Sequence, residues 1–266
     1  MDTFVRFTSS PWGYRMMSFE ERCRHHRELG LKHICGYFGP HPGAFPADSA
    51  PRDRTALRGL ADKYGLRFAS MNADGDFTVT LGVEDQIALC KRQIDLAAEF
   101  QPEVIIVFAG WQPREDNAVY KQVAEALKSV SRHAAQHHLT VALENHGGLT
   151  ATATQLNRIM AAVNEPNIGI NCDPANFAMY GTDPLSELQA LEYPVVFTHL
   201  KSLKHINGKK VYCRLSQGEI SYLPILQWLR DHYAGFYALE YEEPADVLAG
   251  TEDDFRTLSD WLRNVQ

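Results

Sequence analysis

Apolar and polar positions along this chain follow two periods that take turns. Short runs of strand length recur, among them Arg67 to Met71 (RFASM), Val104 to Gly110 (VIIVFAG) and Val195 to Lys201. VIIVFAG has no polar interruption, which suits a parallel strand covered on both faces. Between the runs lie longer segments of helical period. Ile87, Cys90, Ile94 and Ala97 form one stripe over Glu84 to Phe100. Val119, Val123, Leu127, Val130 and Ala134 form another over Asn117 to His137. Leu156, Ile159, Met160 and Val163 do the same from Thr152 to Val163.

Read in order, the pattern predicts eight strand–helix units. The remaining strands are Phe4 to Thr8, His33 to Tyr37, Thr140 to Gly148, Ile168 to Asp173 and Phe236 to Glu240. The first helix starts at Ser18, where Ser18 and Glu21 fit a capping box, and stops near Gly30. Further helices are expected over Arg52 to Tyr64, Pro184 to Leu191, Tyr222 to Asp231 and Glu252 to Val265, with Ser202 to Ser221 as a long polar loop. Strict alternation implies a parallel sheet. Eight repeats in 266 residues favour a single α/β domain over 1–266, a (β/α)₈ TIM barrel, because barrels of this kind run to about 250 residues. An open doubly wound sheet is disfavoured, since no strand is followed by GxGxxG or a Walker-type loop.

Composition narrows the function classes. With 45% apolar and 22% charged residues the chain is expected to fold as an ordinary globular enzyme. A net charge of −7 argues against nucleic acid or an anionic membrane as partner. The five cysteines are odd in number and scattered without a CxxC pair, which points to reduced, buried thiols and a cytoplasmic setting. MDTFVRFTSSPWG lacks a charged segment followed by an apolar core, so no signal peptide is expected.

The chemistry-bearing residues sit at strand ends. Glu144, Asp173, His199 and Glu240 close four consecutive strands, at separations of 29, 26 and 41 residues. In a barrel these ends lie side by side at the mouth where active sites are built. Three carboxylates and an imidazole at close range need a compensating cation. One divalent metal ion is the natural choice. The oxygen-rich set suits Mn²⁺ first or Mg²⁺, and the imidazole keeps Co²⁺, Zn²⁺ and Fe²⁺ open.

These segments, ENHGG, CDPANF, THLKS and ALEYE, resemble the xylose isomerase-like sugar phosphate isomerase/epimerase superfamily, and SQGEIS (Ser216 to Ser221) is similar to its loop after strand seven. The resemblance spans essentially the whole chain and is strongest from Val141 to Glu240. It implies that Glu144, Asp173, His199 and Glu240 hold the metal, and that Glu144 and Glu240 exchange protons beside a substrate carbonyl. It also implies that Arg214 contacts the substrate. A metal on the carbonyl oxygen makes that chemistry reasonable, because it stabilises the enediolate left by deprotonation.

Other positions are candidates for substrate contact. Lys201, two residues after His199, points to the same side of its strand, for substrate oxygen or for pairing with a ligand carboxylate. His146 follows Glu144 and can touch substrate or orient a ligand. Trp12, Phe38, Asn72 and Trp111 follow strands one to four and can form the wall, aromatic faces suiting the C–H face of a sugar. Two departures from the ketose 3-epimerase pattern stand out: Asn176, itself a candidate for substrate contact, replaces a histidine, and Thr150 replaces a second glutamate. His133 and His137, spaced i, i+4 on an outer helix, read as a solvated face. His25 and His26 read as surface or helix-packing residues, and Cys172 should point away from the metal side.

The expectation is a metal-dependent isomerase or epimerase acting on a small polyhydroxylated substrate, as a monomer or homo-oligomer. The alternative is a lyase that dehydrates a keto-inositol, a dehydroshikimate-like acid or an oxidised glycoside at the same site. An endonuclease IV-like nuclease would need more histidines at the early strand ends, where Asn72 and Gly110 stand. A non-catalytic sugar-binding barrel would leave the ligand set without a use.

Overall fold

A computed structural model describes residues 6–265. The elements run β1 (Arg6–Ser9), α1 (Phe19–Glu28), β2 (His33–Tyr37), α2 (Pro51–Lys63), β3 (Arg67–Asn72), α3 (Val83–Ala98), β4 (Val104–Val107), α4 (Asn117–Ala135), β5 (Thr140–Glu144) and α5 (Ala153–Val163). They continue with β6 (Ile168–Cys172), α6 (Pro174–Met179), α7 (Pro184–Gln189), β7 (Val195–Leu200), β8 (Ser202–Ile206), β9 (Lys209–Cys213), α8 (Tyr222–His232), β10 (Phe236–Leu239) and α9 (Val247–Asn264). Phe4 and Val5 of the predicted first strand lie outside the described residues.

The main sheet has the order β1-β10-β7-β6-β5-β4-β3-β2, with every ladder parallel. β1 and β2 face each other across the seam, where Thr8 Oγ1 lies 3.4 Å from Cys35 Sγ. The result is a nearly closed (β/α)₈ barrel, as the alternation predicts.

Strand period two sorts the residues. Ala142, Phe197, Phe236 and Ala238 point inward and, with Cys35, Ala69, Val104 and Ile106, plug the lower barrel. One step further along the same inner faces stand Glu144, His199 and Glu240. The outward residues, such as Val141, Leu143, Ile170, Cys172 and Leu239, join the larger core under the helices. Cys172 therefore faces away from the mouth, and burial pushes its thiol up. All five cysteines are buried and unpaired. No helix among the described residues is long and apolar enough to cross a membrane.

Three local features differ from the sequence reading. The polar loop from Ser202 holds the antiparallel hairpin of β8 and β9. Its turn is Asn207–Gly208, both at positive φ (50° and 76°), the two-residue turn whose twist matches a hairpin. The short helix α6 was not foreseen. Asp173 caps it, accepting from Ala175 N and Asn176 N, and Pro174 occupies its first turn. Helix α9 begins five residues earlier than expected, at Val247. The predicted capping box of α1 is present, with Ser18 and Glu21 bonded reciprocally.

Candidate metal-binding active site

Alternation on the last four barrel strands delivers the site. Glu144 closes β5, Asp173 follows β6, His199 lies near the end of β7 and Glu240 follows β10. One ligating atom from each lies within 4.8 Å of the others, and all four residues are buried. His199 Nδ1 is 3.2 Å from Glu144 Oε2 and 3.5 Å from Glu240 Oε1.

The carboxylates are held from several sides. Asn171, on the same inner face as Asp173, donates to Glu144 Oε2 at 2.8 Å, and its amide lies 3.3 Å from His199 Nδ1. Asn176 donates to Glu144 Oε1 at 3.3 Å. Asn145 locks the next turn, donating to Asp173 O and accepting from Asp173 N. Ser10 donates to Glu240 Oε1 at 2.5 Å. After Glu144 the chain turns through Gly147, at φ 82°, where an added Cβ would sit within the Tyr180 ring.

Lys201 is the counter-charge. Its Nζ lies 2.6 Å from Glu242 Oε1, 2.9 Å from Glu240 Oε2 and 3.1 Å from Asp173 Oδ2. Burial alone would lower its pKa, but the Asp173, Glu240 and Glu242 charges hold it well above the ordinary value. Burial also works against a charged His199, and the Glu240 and Glu144 charges overcome it and raise the imidazole to about 9. Burial raises the Asp173 carboxyl. For Glu240 the His199 and Lys201 charges outweigh burial and lower it.

The donor set fits a divalent cation. Asp173, Glu240 and Glu242 share one fixed cation, Lys201, while Glu144 has only the His199 imidazole beside it. Asp173 Oδ2 has Lys201 Nζ at 3.1 Å as an ionic partner but accepts no hydrogen bond from the described residues, and His199 Nε2 is buried without one. Three carboxylates and an imidazole converging within 4.8 Å in a buried site form a donor set that a divalent ion would satisfy.

Above the cluster opens a cavity of about 560 Å³. Glu144, His199, Lys201, Glu240 and Glu242 line one side, and Trp12, Tyr37, Asn72, Phe108, Trp111 and His146 line the other. Asp74 and Tyr212 complete the wall. His146 meets Trp111 edge to face at 5.3 Å and Phe108 at 5.5 Å. A groove of similar size, about 590 Å³, lies by α2 and the start of β3, but no imidazole or carboxylate cluster converges there.

Of the residues singled out in the sequence, Trp12, Asn72, Trp111, His146 and Lys201 reach the cavity. Asn176 reaches a ligand carboxylate instead, and Lys201 pairs with carboxylates. Two expectations need correction. Arg214 is not at the cavity: its guanidinium is bound by Asp246 and Asp253 near the start of α9. Phe38 is buried against Phe45, and Tyr37, one residue earlier, takes the wall position. His25 and His26 are helix-packing residues, bonded to Tyr14 and Ser9.

Several residues escaped the sequence reading. Asn171 and Glu242 lie two positions from Asp173 and Glu240, so strand alternation could have found them. Asp74 stands two past Asn72. Tyr212 was hidden because its hairpin read as loop.

The family model described as xylose isomerase-like TIM barrel matches residues 23–265. The chain belongs to this family. A 3-dehydroshikimate dehydratase of Bacillus anthracis is 26% identical over 241 residues, covering 83% of this chain and 85% of the relative. Among solved structures, a D-tagatose 3-epimerase-like protein superposes with a TM-score of 0.80 at 17% identity, covering 98% of both chains. A xylose isomerase-like TIM barrel protein from Mycobacterium smegmatis, solved with magnesium, gives 0.79 at 16% identity, covering 99% of this chain and 98% of that one. The structural likenesses show the shared barrel fold, and the 26% identical relative is a dehydratase.

Proposed function

We propose that this protein is a divalent-metal-dependent isomerase or epimerase that moves a proton beside the carbonyl of a small, uncharged, polyhydroxylated substrate. The observation that carries this reading is the pair Glu144 and Glu240, on either side of His199 and opening into one aromatic-walled cavity. Glu144, Asp173, His199 and Glu240 are the residues that would hold the ion, with Mn²⁺ as the first choice. When bound there, the ion supplies a Lewis acid for the charge that develops on the carbonyl oxygen.

The protein's own groups do the rest. One glutamate takes the proton from carbon, and a second group returns it on the same face for isomerisation or the opposite face for epimerisation. Asn171 and Asn176 each donate to one oxygen of Glu144 and so fix its plane. Lys201 holds Glu240 and Glu242 in place. Trp12, Trp111 and Phe108 offer apolar faces to substrate carbon and exclude water from it.

The neutral substrate follows from charge. Lys201 is already bound by three carboxylates, and Arg214 is committed to two aspartates outside the cavity. A substrate carboxylate or phosphate would enter against Glu242 and Asp74 with no free ammonium or guanidinium among the cavity-lining residues.

The 26% identical dehydratase favours a second reading, in which the same proton abstraction is followed by loss of a β-hydroxyl. The two readings separate in one experiment. Metal content is measured, and ketoses, inososes and hydroxy-keto acids are incubated in D₂O. Isomerase or epimerase chemistry incorporates deuterium and gives a product of equal mass otherwise. Dehydration gives a product lighter by one water with enone or aromatic absorbance. Absence of both bound metal and exchange defeats the proposal.

A further inference from the structure

A second constellation of metal-binding side chains lies outside the barrel, on the solvent side of α3 and α4. In the sequence His133 and His137 are only a helical pair. The fold adds Asp95 from the neighbouring helix. Asp95 Oδ1 is 2.7 Å from His133 Nε2 and 2.8 Å from His137 Nε2. The rings stand 5.7 Å apart at 67°, so their Nε2 atoms converge on one point. This is one of two groups among the described residues in which three or more His, Cys, Asp or Glu ligating atoms lie within 4.8 Å of one another. The other is the barrel cluster.

We propose that Asp95, His133 and His137 form a second metal site, selective for Zn²⁺ or a similar late first-row divalent ion, that clamps α3 to α4. The donor chemistry differs from that at the barrel mouth. Two imidazole nitrogens and one carboxylate oxygen suit Zn²⁺, whereas the oxygen-rich barrel set suits harder ions. Three protein ligands with solvent access leave room for water to complete a tetrahedron. The side chains are partly exposed, His133 at 22% and His137 at 33%, so an ion can enter without unfolding.

The required movement is small. Metal–ligand bonds of about 2.0–2.2 Å in a tetrahedron put ligand atoms roughly 3.3–3.5 Å apart. The present contacts of 2.7 and 2.8 Å therefore open by roughly 0.5–0.8 Å, within reach of side-chain rotation. Each ring has to carry its proton on Nδ1 instead of Nε2, and neither Nδ1 is bonded to another described residue. The backbone under the site is firm. Asp116 caps α4, and Val123, Leu127, Val130 and Ala134 anchor that helix's opposite face in the core. His133 lies in the last turn of α4, and His137 lies in the turn just past its C-cap Gln136, held by its own backbone N–H to Ala134 O at 3.0 Å.

The test uses the full chain and Zn²⁺ itself. Protein passed through a desalting column after micromolar Zn²⁺ loading is analysed for metal, beside a calorimetric titration. The wild type is expected to retain one more equivalent than His133→Ala/His137→Ala. Asp95→Asn should weaken that equivalent by more than roughly tenfold. Glu144→Gln/Glu240→Gln should keep it while losing the barrel equivalent, so the two sites fail independently. Zn²⁺ should also raise the melting temperature of the barrel variant, and should not do so once His133 and His137 are replaced. Circular dichroism checks that each variant is folded, and His133→Gln/His137→Gln, which retains hydrogen bonding, replaces the alanine pair if that pair does not fold. Equal Zn²⁺ content in wild type and the histidine variant overturns the proposal, whether that content is none, one or two.

Discussion

The two halves of the barrel mouth are built from different residue types. The barrel strands β5, β6, β7 and β10 lead into Glu144, Asp173, His199 with Lys201, and Glu240 with Glu242. The four from β1 to β4 lead into Trp12, Tyr37, Asn72 and Phe108 with Trp111. One half carries charge that is buried and mutually dependent. The other carries shape, and Trp12 and Trp111 are left 42% and 53% exposed. The difference suggests that the second half sets the reaction and the first half sets what is held against it. Substitutions in the charged half should therefore act on turnover and on stability, and those in the aromatic half on substrate affinity.

The largest effect is expected at Glu144 and Glu240. Each changed to glutamine keeps the shape and loses the proton-carrying oxygen. General acid–base groups of this kind contribute roughly 10²–10⁴-fold, and loss of the ion adds to that. We expect kcat/KM to fall by about 10³-fold or more in each variant, with reduced metal content in at least one. Stopped-time assays and metal analysis on the same preparations check both. Full activity in both variants would falsify the proposed roles.

Lys201→Met comes next. It removes the ammonium that Asp173, Glu240 and Glu242 share while leaving those carboxylates where they are. Breaking a buried ion pair from one side typically costs 3–5 kcal/mol. Glu242 retains some solvent, so about 3 kcal/mol is expected, read as a shift in the urea midpoint of metal-free protein. Saturating metal should recover part of that loss, because the ion returns positive charge to the cluster. A variant as stable as wild type without metal would mean that the cluster is neutral by protonation instead.

Asp74 is the exception in the aromatic half, and it sharpens the contrast. Burial holds its carboxyl up at about 6, against an ordinary value of 3.8. The folded state binds that proton more tightly than the unfolded chain. The wild type thus has its full Asp74 contribution below about pH 4 and loses it as pH rises through about 6. Asp74→Asn has no such loss. At 1.36 kcal/mol per pKa unit, discounted because the residue is only partly buried, the variant should gain on the order of 1–2 kcal/mol over wild type at pH 7.5. The melting-temperature difference between the two, followed from pH 4 to 7.5, should widen with pH. A difference independent of pH removes Asp74 from the ionisable groups of the cavity.

Much of this division was legible before the structure. Strand ends carry the ligands because period two and a short apolar run locate the last inward position of each strand. The outer core was legible from helical stripes for the same reason. What was missed depends on contacts between distant segments. Arg214 was assigned to the substrate by resemblance, but Asp246, just before α9, and Asp253, on α9, bind it, and nothing local announces that pairing. Phe38 and Tyr37 are neighbours of opposite direction: β2 ends at Tyr37 as predicted, but its last residue, not the one that follows it, faces the cavity. Tyr212 required the hairpin of β8 and β9, whose Asn207–Gly208 turn was visible but lay in a stretch read as loop. Asn171 was passed over because an uncharged amide on a strand carries little signal until Glu144 is seen 2.8 Å away.

The smallest effect tests the aromatic half directly. Trp111 is presented rather than buried: its backbone N donates to Asp76 Oδ1 at 3.2 Å, and Gln112 is tied to Thr78 Oγ1 and to Asp76. The indole rests against Phe108 at 5.1 Å and receives His146 on its edge or face at 5.3 Å. Such a held, half-exposed ring gains cover only when substrate carbon lies on it. Aromatic contacts are worth about 0.5–1.5 kcal/mol beyond area burial, which corresponds to roughly a 2–12-fold change in binding. Trp111→Ala is accordingly expected to raise KM by that factor with kcat within about twofold, and Trp111→Phe to recover most of the loss. The pattern to look for is loss of affinity shared by ground and transition states. If kcat falls tenfold while KM holds, the indole acts on the reacting atoms, and the separation between a half that reacts and a half that holds is wrong.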